Sequence, residues 1–293
     1  MKKVLMLFAA GLMLAACNLD DIKDVIDDAT DKLTEIQTAK DNQVVYLPLN
    51  SAEKAVAIGE GISFASKNGA ADFQKGQVKN AYFNTSAKND ESYLKFNLAK
   101  DNALSKLEDV TITVWVKNVE EFQKGGLFSV NGKHFATQDW PSFVVMFDNK
   151  GVDETTQEKR QQINGRIMFK KDDGSETNMW LDTWDPAFAV YDKWCQIAFT
   201  YTASTGAWSL YVDAVKVKDA EYGDKMPFGK CIPADADALY VGGWSSWIEK
   251  YQGAADWQTF FAGGIDEIRI FNKALSENEV SALYREELNF ALL

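Results

Sequence analysis

From Leu19 the apolar residues recur at Leu19, Ile22, Ile26, Ala29, Leu33 and Ile36, a 3-4-3-4-3 spacing with aspartates, lysines and threonines between them. This spacing predicts a helix with a single apolar seam. So short a seam is open to two readings, an oligomerising coiled coil or a spacer helix that is loose or rests on the following domain. After Gln43 the period changes to two. Segments 44–49, 92–97, 110–117, 143–147, 165–170, 195–201, 208–213, 239–241 and 265–271 are rich in β-branched and aromatic residues and predict strands. Turn clusters separate them, among them Asn131-Gly132, Asp172-Asp173-Gly174 and Ser204-Thr205-Gly206. Many short strands without intervening helices predict antiparallel sheets packed face to face. No Pro-rich or Gly/Ser-rich linker divides 44–293 and no internal repeat is visible, so one sandwich of about 250 residues is expected. Ser276 and Glu279 form a capping-box pattern that opens a short last helix through Val280, Leu283 and Tyr284.

The first residues follow another rule. Lys2 and Lys3 precede an apolar run over 4–14, shorter than the ~18 residues of a membrane-spanning helix, and this predicts an export signal over 1–16. The run ends in Leu14-Ala15-Ala16-Cys17, which resembles the lipobox of bacterial lipoproteins. The resemblance implies a diacylglycerol on the Cys17 thiol, a membrane contact through that lipid, and an outer-membrane location. Asn18-Leu19-Asp20-Asp21 is read either as resembling the acidic surface-export signals of some Gram-negative gut bacteria, implying cell-surface display, or as carboxylates favouring a helix start. The expected organisation is a signal peptide at 1–16, an anchor and helical stalk at 17–42, and a β domain at 43–293.

The segment Gly263-Gly264-Ile265-Asp266-Glu267-Ile268-Arg269-Ile270-Phe271-Asn272-Lys273-Ala274-Leu275 resembles the C-terminal signature of LamG-like jelly-roll domains of the concanavalin A-like lectin/glucanase superfamily. Val45-Tyr46-Leu47-Pro48-Leu49-Asn50 resembles the opening strand of that family. Segment 110–117 resembles its Trp-containing strand, and 194–201 with 210–213 resembles its late hairpin. The resemblance implies an all-β fold, a two-sheet antiparallel jelly-roll sandwich, here with an N-terminal helix and a short C-terminal helix. The chain departs from the pattern at Cys195, where histidine is usual, and at Ala214, where a turn glycine is usual.

Charge and composition narrow the chemistry. With 43 acidic and 31 basic residues the chain carries a formal −12, which disfavours nucleic acid as a partner. His134 is the single histidine, which excludes multi-histidine metal sites and leaves carboxylates as the candidate catalytic groups. Glucanases of this superfamily carry Glu-x-Asp-x-x-Glu on one strand, and no glutamate here has an aspartate two residues later. Asp266 shares strand parity with Ile268 and Ile270. An inward carboxylate there is expected either to accept hydrogen bonds or to ligate a hard cation such as Ca²⁺, as in the jelly rolls it resembles. Glu267 and Arg269, two apart, are expected to form a solvated ion pair. Cys195 and Cys231 are read as buried thiols or as a disulfide.

Nine tryptophans carry the functional expectation. Trp115, Trp194 and Trp208 fall in predicted strands and are expected in the core. Trp140, Trp180, Trp184, Trp244, Trp247 and Trp257 fall beside Pro, Asp, Ser and Gln and are expected at loops or strand ends, either capping the sandwich or offering flat faces to pyranose rings. The expected function is noncatalytic binding of oligo- or polysaccharide. A structural or adhesive surface protein binding another protein is the alternative, and a glycoside hydrolase the third.

Overall fold

The computed structural model describes residues 35–84, 91–119, 125–132, 140–152, 154–185 and 193–292. Cys17, His134 and most of the expected stalk lie outside them. Among the described residues sixteen strands form two antiparallel sheets. The larger contains β1 (Gln43–Leu47), β2 (Ile58–Gly59), β4 (Asp72–Lys75), β5 (Asn80–Asn84), β7 (Val110–Asn118), β12 (Trp194–Thr202), β13 (Ala207–Val212), β14 (Val215–Glu221) and β16 (Gly263–Phe271). Its order is β14-β13-β12-β7-β16-β1-β2, with β5 on β16 and β4 on β5. The smaller contains β3 (Ile62–Asn68), β6 (Tyr93–Leu98), β8 (Gly125–Val130), β9 (Phe143–Val152), β10 (Lys159–Lys170), β11 (Glu176–Asp185) and β15 (Ala238–Val241), ordered β11-β10-β9-β8-β15-β6-β3. Among the described residues the α-helices are α1 (Ser245–Ile248), between β15 and β16, and α2 (Glu277–Phe290), after β16. Among the described residues no helix is long and apolar enough to cross a membrane.

The core lies between the sheets, where alternation along each strand delivers one side chain in two. Ile163, Ile167 and Phe169 of β10 face Ile197 and Phe199 of β12 and Trp208 and Leu210 of β13 within one apolar cluster. Gly165 falls among the inward residues of β10. A Cβ there would lie 2.6 Å from the Phe199 ring, so the missing side chain admits that ring. Cys195 and Cys231 are buried thiols that form no disulfide with each other.

The outer face of the larger sheet is covered by α2. Ser276 accepts the Glu279 amide N–H and Glu279 accepts the Ser276 amide N–H, closing the expected capping box. Val280 and Leu283 then pack with Tyr211, Phe271 and Ile36. Ile36, the last seam position, is thus held against the domain, and 35–37 have no helical geometry.

Two expectations are overturned here. A β-bulge between Asp266 and Arg269 inserts a residue, so Asp266 pairs Trp115, Arg269 pairs Thr113, and Glu267 takes φ 49°. Ile265, Ile268 and Ile270 remain in the core while Asp266 lies opposite Trp115 on the α2 side, and the simple parity of Asp266 with Ile268 is lost. Glu267 and Arg269 are not a solvated pair: they are 0% and 1% exposed.

Candidate functional site

On the outer face of the smaller sheet, strands β9 to β11 carry a row of aromatic and polar side chains. β11 alternates Met179 and Leu181 into the core with Trp180, Asp182 and Trp184 outward. β10 alternates Ile163, Gly165 and Ile167 inward with Gln162, Asn164 and Arg166 outward. Register fixes their neighbours: Arg166 pairs Trp180, Asn164 pairs Asp182, and Gln162 pairs Trp184. On the other side Arg166 pairs Val144 and Asn164 pairs Met146. A polar strip therefore lies beside the Trp-bearing strand, with an apolar strip beyond it.

Trp180 is 54% and Trp184 40% exposed. The Trp184 indole lies over Gly151, where a Cβ would come within 3.1 Å of the ring, so the glycine lets the indole settle on the sheet. Gly151, Val152, Glu154, Thr155, Arg160 and Trp184 line a cavity of about 340 Å³ at this end. At the other end the Arg166 guanidinium carbon stands 3.6 Å from the centre of the Trp140 ring and 5.7 Å from that of Trp180. The edge strand is anchored from behind, where Tyr222 and the Trp180 backbone exchange hydrogen bonds.

Trp140 continues into an indole cluster, 5.2 Å from Trp244 and 5.6 Å from Trp257, with Trp244 and Trp257 at 5.3 Å. The segment bearing Trp244 and Trp257 is pinned to β8 by Gly126 N–H to Thr259 O (3.3 Å) and by Ser129 Oγ to Gly243 O (2.9 Å). Tyr240 and Asn131 both donate to Glu249 and fix the end of α1. Of the six expected tryptophans the structure thus unites Trp140, Trp180, Trp184, Trp244 and Trp257 on one face. Trp247 is half-buried against the same small cluster, with Lys250 Nζ 4.9 Å from its ring.

Exposure separates these residues. Trp244 is only 2% exposed and rests on Val144 and Met146, so it is floor rather than platform. Trp180 lies within a strand rather than at a loop, because its neighbours Met179 and Leu181 are claimed by the core. Asn164, Gln162 and Arg166 were not singled out in the sequence. Their signal was the alternation of polar residues with Ile163, Gly165 and Ile167 in a strand whose two faces are both largely covered.

The donors around Gln162 and Asp182 answer one another, since the Gln162 amide donates to the Asp182 carboxylate. Asn164 is different. It is 8% exposed, and its Oδ1 is buried without a hydrogen-bond partner among the described residues. The Trp244 indole N–H is likewise buried without an acceptor among them.

On the far side of the sandwich a second polar cluster is largely buried. Arg269 donates through Nε to Glu287 (2.7 Å) and through a terminal nitrogen to Glu267. Tyr46 donates to Glu267 (2.8 Å), and Trp115 Nε1 donates to Glu287 (2.6 Å). Burial pushes Asp266 well above the usual carboxylate range, with the Glu267 charge adding to it. Burial also raises Glu287. It raises Glu267 to about 7 against the opposing pull of Arg269, since one guanidinium must serve more than one carboxylate. Asp266 accepts amide protons from Val78 and from Glu267, each at 2.9 Å. Among the described residues no group of three or more His, Cys, Asp or Glu is placed to hold a metal ion. A cavity of about 540 Å³ bordered by Tyr46, Gln43, Pro48, Val78 and Arg269 opens nearby.

A family model, Laminin_G_3, described as Concanavalin A-like lectin/glucanases superfamily, matches residues 88–281. The chain belongs to this family. No curated protein matches it significantly. Among solved structures it is similar to the binding domain of Botulinum neurotoxin DC in complex with rat synaptotagmin II, with a TM-score of 0.51 and 10% identity, covering 85% of this chain and 52% of that one. It is similar also to the binding domain of Botulinum Neurotoxin DC in complex with SialylT, with a TM-score of 0.53 and 11% identity over 84% of this chain and 52% of that one. The chain thus spans about half the length of these structures, and at such identity the likeness shows the fold.

Proposed function

We propose that the outer face of β9, β10 and β11 binds oligo- or polysaccharide without cleaving it. Trp180 and Trp184 act as stacking platforms, and Arg166, Asn164, Gln162 and Asp182 form the polar strip for hydroxyls. The observation that carries this reading is the pair of indoles, 54% and 40% exposed, presented by one edge strand beside that strip. An apolar ring on a protein surface is unfavourable in water. It becomes useful when the apolar face of a pyranose covers it while neighbouring amides and carboxylates take the hydroxyls. Four residues at about 3.3 Å each set the two platforms roughly 13 Å apart along the strand, a span for an oligosaccharide rather than a single ring. Membership of a lectin/glucanase superfamily supports the reading, and the missing Glu-x-Asp-x-x-Glu strand supports binding over hydrolysis.

The test is a glycan array probed with the protein and with Trp180→Ala and Trp184→Ala. Expected is binding to at least one glycan class, lost in both variants with thermal stability unchanged. Binding that survives both substitutions overturns the proposal. Val152, 49% exposed beside Trp184, favours a second reading in which the same patch contacts a protein, and an array with no glycan bound would turn attention there.

The proposal extends to location: Cys17 carries the lipid that holds the chain at the outer membrane, displayed at the cell surface. Support comes from the Lys2-Lys3 start, the apolar run and the small residues before Cys17. Cys17→Ser should release the protein from membrane fractions, and retention of that variant would contradict the anchor.

A further inference from the structure

Asn164 lies in the middle of this outer face. It sits on β10 midway between Arg166, paired with Trp180, and Gln162, paired with Trp184. Its neighbour across one strand boundary is Asp182, an acceptor already engaged by the Gln162 amide. Its neighbour across the other is Met146, whose side chain has no donor to offer. Among the described residues the Asn164 Oδ1 is therefore a buried acceptor with no donor, in a residue more than nine-tenths covered. A buried polar atom without a partner is destabilising, and native proteins rarely hold one without a reason.

We propose that Asn164 is the specificity-determining residue of this face, its amide oxygen accepting a hydrogen bond from a sugar hydroxyl that points down between Trp180 and Trp184. This rests on the carbohydrate-binding reading and deepens it. The platforms accept any pyranose with an apolar face, whereas Asn164 demands a donor at one point of the ligand. A carboxylate, an ether oxygen or a deoxy carbon placed there leaves the amide oxygen unanswered. A site built around such a bond discriminates against ligands lacking the donor more sharply than an apolar pocket discriminates by size.

Affinity electrophoresis of the full chain tests the inference, using gels containing xylan, galactomannan, laminarin or hyaluronan, each native and O-methylated. Methylation removes hydroxyl donors and keeps the oxygen acceptors. Expected is retardation by at least one native polysaccharide, weakened roughly tenfold or more by its methylation. Asn164→Leu, close to asparagine in volume, should lose binding by a similar factor while melting at the same or a higher temperature, because it removes the unanswered oxygen. If Asn164→Leu binds as the wild type does while Trp180→Ala and Trp184→Ala do not, the role of Asn164 is overturned and the face remains a carbohydrate site. If the variant fails to fold, the methylated gels decide on the wild-type protein alone: equal retardation by both forms overturns the inference. If no polysaccharide retards the wild type, the inference and the binding reading fall together.

Discussion

Arg269 donates to Glu287 at 2.7 Å, and this buried contact joins the last strand to the last helix. Glu287 also accepts from Trp115 and Gln196, so one carboxylate gathers three donors from three neighbouring strands. Glu287→Ala leaves Arg269 buried with half its counter-charge. It should lower unfolding free energy by about 3–5 kcal/mol in urea titrations. A loss below 1 kcal/mol would mean that α2 is docked by its apolar residues alone.

The same cluster sets a pH dependence. Glu267 is raised to about 7 in the folded chain, whereas an unfolded glutamate titrates near 4.5, so between these values the folded form binds the extra proton. Its contribution is fully present below about pH 4.5 and is lost as pH rises through 7. Melting temperature should therefore fall between pH 5 and 8, and Glu267→Gln should flatten that slope. The surface carboxylates Glu53, Asp72, Asp173 and Asp224 are held below their usual values and act in the opposite sense only at lower pH. A wild-type melting curve that is level from pH 5 to 8 would refute this account.

Trp244 and Trp180 belong to one aromatic surface yet should respond oppositely to truncation. Trp244→Ala empties a site over Val144 and Met146 and should cost about 3–5 kcal/mol. Trp180→Ala removes a ring that is 54% exposed and should change stability by no more than about 0.5 kcal/mol. Denaturation midpoints of the two variants, measured side by side, check the contrast.

The hairpin between β13 and β14 turns on Asp213 and Ala214, at φ 47° and 65°. A left-handed alanine costs roughly 1–2 kcal/mol, partly offset by its smaller unfolded-state entropy relative to glycine. Ala214→Gly should raise stability by roughly 0.5–1 kcal/mol. An unchanged or lower melting temperature would show that the turn is not strained at this position.

The chain by itself determined the strands whose two faces differ or are both covered: β1, β6, β7, β9, β10, β12, β13, β15 and β16 fall where period-two runs of β-branched and aromatic residues stand. It determined the cap of α2 for the same reason, since Ser276 and Glu279 act locally. The strands it did not announce include the exposed edge strands β3 and β14, whose ISFASKN and VKVKDAE lack a strong apolar face. Only the tertiary structure decided which tryptophans face water, because Trp244 is covered against Val144 and Met146, distant in sequence, whereas Trp180 stands on the outer face of an edge strand beside Arg166. It alone placed Asp266, Glu267 and Arg269 on the α2 side, since a bulge reverses parity and nothing in the local composition marks it. Burial and pairing are sums over the whole sheet, whereas periodicity is a property of a few consecutive residues.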